Sequence, residues 1–136
     1  MPQRVHWDPE LSVGLALIDA QHQSLLRQCN LLADHCSADG GEEQHGPFDL
    51  ALDRLMALAR AHFTAETDLL AQHGCPELED HRFDCDEFEY LVSEIVTTEH
   101  FERVELQRFL ALWFLGHVMG SAAQLRAALA GRGAAT

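Results

Sequence analysis

The chain has 136 residues, enough for one domain that buries a core of its own without disulfide staples. It carries 22 acidic side chains against 9 basic ones, all arginine, for a formal net charge of -13, which argues against nucleic acid and anionic membranes as partners. Its four cysteines, Cys29, Cys36, Cys75 and Cys85, form no Cys-x-x-Cys pair, and no apolar run is long enough to span a bilayer, so a zinc ribbon, a thioredoxin-type site and a membrane segment are all disfavoured; with no leader peptide evident, a reduced, cytoplasmic setting is expected.

Residues 1–18 read as an extended arm. Pro2 and Pro9 discourage helix, and Val5, Trp7, Leu11, Val13, Leu15 and Leu17 supply apolar anchors. The first helix is expected over about 19–37, with Asp19 as N-cap and His22, Leu25, Leu26, Cys29, Leu32, Ala33 and Cys36 as its apolar stripe. Ser37-Ala38-Asp39-Gly40-Gly41 marks a loop. The second helix is expected over about 47–73, entered at Pro47 and stopped by Gly74 and Pro76. Phe48, Leu52, Leu55, Ala59, His62, Glu66, Leu69 and His73 recur along it in steps of four and three, the repeat of a bundle-facing seam. The third, over about 77–97, presents Leu78, His81, Cys85, Phe88, Val92 and Ile95; it fades at Thr97 and Thr98. The fourth, over about 101–130, presents Leu106, Leu110, Trp113, His117, Ser121 and Leu125, and Gly131-Arg132-Gly133 should end it. No strand pattern competes. Four long amphipathic helices on short connections predict a single all-α domain, an antiparallel up-down-up-down four-helix bundle with an N-terminal arm.

Each helix then places a histidine on its inner seam: His22, His62, His81 and His117. Glu66 follows His62 by four residues, and Cys85 follows His81 by four, so each pair shares a helix face. The remaining histidines, His6, His35, His45 and His100, fall on no clear seam and read as surface residues, and His73 as a helix-end residue. One inward imidazole is unremarkable. Four imidazoles, a carboxylate and a thiol in one apolar interior would each cost on the order of one to several kcal/mol unpaired. A metal removes that cost by taking their lone pairs, and this donor set suits iron or zinc.

With these residues in hand, the chain resembles the hemerythrin family over nearly its whole length. The resemblance rests on Trp7, Val13-Gly14-Leu15, Ile18-Asp19-Ala20-Gln21-His22, His62-Phe63-Thr64-Ala65-Glu66, Cys75-Pro76-Glu77-Leu78-Glu79-Asp80-His81, and Trp113 four residues before His117. It implies a non-haem di-iron site inside the bundle, with His22 and His62 on one metal, His81 and His117 helping to hold the other, and Glu66 as a bridge. It further implies dioxygen or another small diatomic as ligand.

Two positions depart from the family pattern. Cys85 stands where a second histidine is expected, and Ala122 where a bridging aspartate is expected. The metal ligands expected here are therefore His22, His62, Glu66, His81, Cys85 and His117, with one or two irons per chain and dioxygen or redox sensing in place of reversible oxygen carriage. Two alternatives stay open. One is a zinc or mono-metal bundle of His81, Cys85 and His117 with Glu66 or water. The other is a metal-free partner-binding module. No enzyme is expected, although slow peroxide or oxidase chemistry stays open. Any signalling output would pass through a separate protein or a homo-oligomer.

Overall fold

The structure, a computed structural model, describes residues 2–36, 45–98 and 101–134, the side chains of 45 and 128–134 excepted. Four helices, α1 (Ala16–Asp34), α2 (His45–Gln72), α3 (Leu78–Val96) and α4 (Arg103–Ala134), form the expected all-α bundle. Helix α1 packs against α2 and α4, and α2 against α3. The expected loop at 37–41, residue His100 and the side chain of His45 lie outside the described residues.

The arm is less uniform than its prolines suggest, because a 3-10 turn, Pro9–Leu11, interrupts it. Asp8 caps that turn, accepting the Glu10 N–H at 2.8 Å. Gly14 then reverses the chain at φ +83°, a left-handed conformation that favours glycine. Helix α1 consequently starts at Ala16, three residues earlier than expected, with Leu15 as a side-chain-free N-cap. Asp19 is not the cap. Its carboxylate reaches back to the arm, accepting the Ser12 hydroxyl at 2.5 Å and the Val13 N–H at 2.9 Å.

Side-chain amides hold the rest of the arm where a sheet partner would otherwise be needed. Asn30 exchanges two hydrogen bonds with the Val5 backbone, at 2.8 and 2.9 Å. Gln107, fully buried in α4, accepts the Gln3 N–H at 2.7 Å and donates to the carbonyls of Gln3 at 2.6 Å and Cys29 at 3.0 Å. Gln107→Leu removes the side-chain partner of the half-buried Gln3 backbone and of the buried Cys29 carbonyl, so it should destabilise the protein by about 1–3 kcal/mol. Denaturant unfolding measures that loss, and faster exchange of the Gln3 amide hydrogen should accompany it.

Helix α2 ends as its sequence indicates. Gly74 adopts φ +59°, and the N–H groups of Gly74 and Cys75 return to the carbonyls of Ala71 and Leu70 at 3.1 and 2.9 Å, a Schellman closure. Pro47 is the third residue of α2, inside the first turn, where a missing N–H costs nothing. Helix α4 differs from expectation at its end. It continues through Gly131 and Gly133 to Ala134, since the preceding alanines are the strongest helix formers and each glycine costs only about 1 kcal/mol.

The core runs the length of the bundle. Leu25, Leu26, Leu32, Phe48, Leu55, Phe88, Leu106, Leu110 and Phe114 are essentially inaccessible. A smaller apolar group, Val13, Ile18, Leu70, Cys75, Ala122 and Leu125, closes the end where α2 meets α3. All four cysteines are free. No helix among the described residues is long and apolar enough to cross a membrane.

Candidate metal centre

Between the two apolar regions lies a polar knot. His22 from α1, His62 and Glu66 from α2 and His117 from α4 converge so that one ligand atom of each lies within 4.8 Å of every other. His22, His62 and Glu66 are buried at 0–1% exposure inside the bundle. The i,i+4 step on α2 brings His62 Nε2 to 2.5 Å from Glu66 Oε1. His117 Nε2 stands 2.7 Å from the same oxygen and 3.3 Å from His62 Nε2. His22 Nε2 faces the other carboxylate oxygen at 3.9 Å.

The imidazoles are aimed by their neighbours. His62 Nδ1–H donates to the Gln21 Oε1 at 2.8 Å. With its proton there, the ring turns the Nε2 lone pair toward Glu66. Trp113, one turn before His117 on α4, stacks on it at 7° between planes and 5.3 Å between centroids. Ser121 Oγ lies 3.3 Å from His117 Nε2. His22 makes no hydrogen bond through either ring nitrogen, although both are buried.

Electrostatics sharpen the picture. Burial pushes His62 down to about 4, against the opposing pull of Glu66, so the ring is neutral at pH 7. For Glu66 burial alone would favour the neutral acid, but the imidazoles of His117, His22 and His62 outweigh it and hold the carboxyl well below the usual carboxylate range. An ionised carboxylate thus faces the neutral imidazole of His62 in a dry interior. At 2.5–2.7 Å either a proton on Nε2 or a metal ion in its place must lie between nitrogen and oxygen. Three imidazole nitrogens and one carboxylate make a suitable donor set for a divalent transition metal, and the unpartnered nitrogens of His22 fit that role.

In the metal-free protein the same arrangement makes acid destabilising. The unfolded chain takes a proton on His62 near pH 6.5, the folded chain only near 4. Between those values the unfolded state binds more protons, so stability is complete above 6.5 and falls as pH drops, by about 3 kcal/mol from this residue. Denaturant unfolding of metal-free protein at pH 7 and pH 4.5 measures the slope, and His62→Gln should flatten it.

The other two expected ligands, His81 and Cys85, do not join this group. They lie beside it on α3 and satisfy each other, Cys85 Sγ standing 3.6 Å from His81 Nε2. The same nitrogen is 3.5 Å from the Phe63 carbonyl oxygen. Burial, followed by the charges of Glu66, Asp84, Asp86 and Glu89, pushes the half-buried Cys85 thiol up to about 12, so coordination there must first displace a proton. His117 does lie beside His81, with 6.2 Å between ring centroids, but its close polar contacts are with Glu66, His62 and Ser121. His117 also meets the surface. Its side chain is 10% exposed, at the back of a cleft of about 370 Å³ lined by Asp84, Glu87, Leu112, Trp113 and Gly116. Two carboxylates on that rim favour the approach of a cation.

The model of the hemerythrin HHE cation binding domain matches residues 13–129. The chain belongs to the hemerythrin family. It is also similar to a bacteriohemerythrin of Pseudomonas paraeruginosa, at 30% identity over 115 residues that cover 82% of this chain and 72% of that relative. No solved structure matches it.

As a hemerythrin-family chain it differs where the sequence departs. Ala122 is fully buried among Val13, Ile18, Leu70, Cys75 and Leu125, so the place of the expected aspartate is an apolar wall. Sequence reasoning also passed over Gln21, which it quoted only as part of a motif. The signal was available, since residue 21 adjoins His22 and an amide beside an inward imidazole is a common way to fix a ring. Gln21→Leu should weaken metal binding roughly 10–100-fold with little change in fold, read by chelator competition.

Proposed function

We propose that this hemerythrin-like chain holds iron in the His22, His62, Glu66 and His117 pocket and uses it to bind or sense dioxygen or redox state. The observation that carries the reading is His22, whose two ring nitrogens are buried without a hydrogen-bond partner while the ring faces an ionised carboxylate. When bound, iron supplies one-electron chemistry and affinity for a small diatomic ligand. The protein does the rest. Gln21 and Trp113 hold the rings, Glu66 supplies the balancing charge, and the Leu and Phe layers keep bulk water out. The cleft at His117 gives a small ligand a short way in.

Reversible oxygen carriage is not part of the proposal. A thiol beside an iron site is open to oxidation when dioxygen arrives, which suits a sensor or scavenger better than a carrier. The chain is taken as a binding protein in a reducing cytoplasm, not an enzyme, with a separate protein or a second copy receiving any signal.

The test is optical. Chain loaded with ferrous iron under anaerobic conditions should develop a near-ultraviolet charge-transfer band when air is admitted. A spectrum that stays unchanged counts against the reading. The Cys85–His81 contact favours a second reading, a zinc module with a nitrogen–sulfur ligand pair. In that case Cys85→Ser lowers zinc content and melting temperature together; no change in either removes it.

A further inference from the structure

The geometry points to a mononuclear centre: one metal ion, held by His22, His62, Glu66 and His117 from α1, α2 and α4, with α3 contributing no ligand. This rests on the metal-binding reading above and fixes its stoichiometry and ligand set.

Three observations carry it. First, the four donors already surround one point. An ion with four nitrogen or oxygen ligands at about 2.0–2.2 Å sets those atoms roughly 3.4 Å apart. The separations to the two Glu66 oxygens and between His62 and His117, 2.5, 2.7, 3.3 and 3.9 Å, bracket that value, and every pair of donors falls within 4.8 Å, so the side chains can close on one ion. Second, His117 commits its Nε2 to the first group, although its ring stays 6.2 Å from that of His81. It is the donor that a second ion beside His81 would need, yet its Nε2 is in contact with His62 and Glu66. Third, the far wall is closed. Two metals in one site sit about 3.5–4 Å apart and share bridging oxygens. Glu66 offers both of its oxygens to the first group. At Ala122 there is only a methyl group against Ile18, Leu70 and Leu125. His81 and Cys85 would be left as two ligands with no bridge of their own, and they are already paired. The α3 pair is then a neighbour of the centre and not part of it.

Metal counting on the purified full chain decides the matter. The chain is reloaded with ferrous iron without oxygen, and separately with zinc; ions per chain are measured by elemental analysis and affinity by chelator competition. One ion per chain is expected. A His81→Ala/Cys85→Ala variant should keep that ion with affinity within roughly tenfold, the lower end of an outer-shell effect. His22→Gln, which nearly keeps the side-chain volume, should weaken it by roughly 100-fold or more, beyond that range. Far-ultraviolet circular dichroism checks that both variants are folded, and metal-induced shifts in melting temperature should follow the affinities. Two ions in the parent chain, or loss of the ion from a folded α3 variant, overturns the mononuclear assignment while leaving the metal reading in place. No ion in the parent overturns both.

Discussion

Glu66→Gln is expected to abolish tight metal binding while leaving the bundle folded. The glutamine is nearly isosteric and can still hydrogen-bond to the imidazoles, so helix packing around it has no reason to change. What disappears is the negative charge of the pocket. His62 and His22 are buried, and among the described residues no second carboxylate stands in their group. A divalent ion there would have its charge wholly uncompensated. Removing one partner from a buried charge pair costs about 3–5 kcal/mol, which corresponds to a loss of affinity of roughly two to nearly four orders of magnitude. Chelator competition with parent and variant side by side gives the number. An affinity unchanged within error would mean that the metal, if any, sits elsewhere.

The second large effect concerns the two departures from the family pattern. Ala122→Asp alone places a carboxylate among Val13, Ile18, Leu70, Cys75 and Leu125, an apolar surround in which it loses its water. In the metal-free protein it should destabilise by several kcal/mol, on the order of the 3–5 expected of an unpaired buried charge. Cys85→His in the same chain restores a pair of histidines four residues apart on α3, both facing the pocket, and so gives that carboxylate a metal to share. The double variant should therefore bind one more ion than the parent, and loading should recover the stability that Ala122→Asp removes. Elemental analysis and thermal melts, with and without metal, report both halves. A double variant that stays unstable and gains no ion would show that more than these two residues separates this chain from a two-metal site.

How much of this was legible in the sequence differs by helix. Helices α1 and α2 carry clean seams, because charged and apolar residues alternate with helical period; His22, His62 and Glu66 followed from spacing alone, and all three are buried. Helix α3 was equally readable as a face. What spacing cannot give is which atom each side chain turns to: His81 Nε2 meets Cys85 Sγ and the Phe63 carbonyl, although its ring lies 6.2 Å from that of His117. Helix α4 is apolar nearly all round, so its period is weak. One stripe through Leu106, Leu110, Trp113 and His117 was evident, but the more deeply buried set, Gln107, Ala111, Phe114, Val118 and Ala122, was not. Gln107 and Gln21 escaped for a common reason: an amide on a helix usually faces water, and only the arm or the ring it touches shows otherwise. The start of α1 was misjudged because an aspartate at a helix entry reads as a cap. Here Asp19 binds the incoming arm and the chain turns at Gly14 instead.

The claim on which the rest depends is that the buried imidazoles and Glu66 hold iron. Full-length chain purified from cells grown in iron-rich medium, without added chelator, should carry iron in fixed proportion to protein, and His62→Gln prepared in parallel should carry far less. Colourless protein that contains only zinc, or no metal, would contradict it.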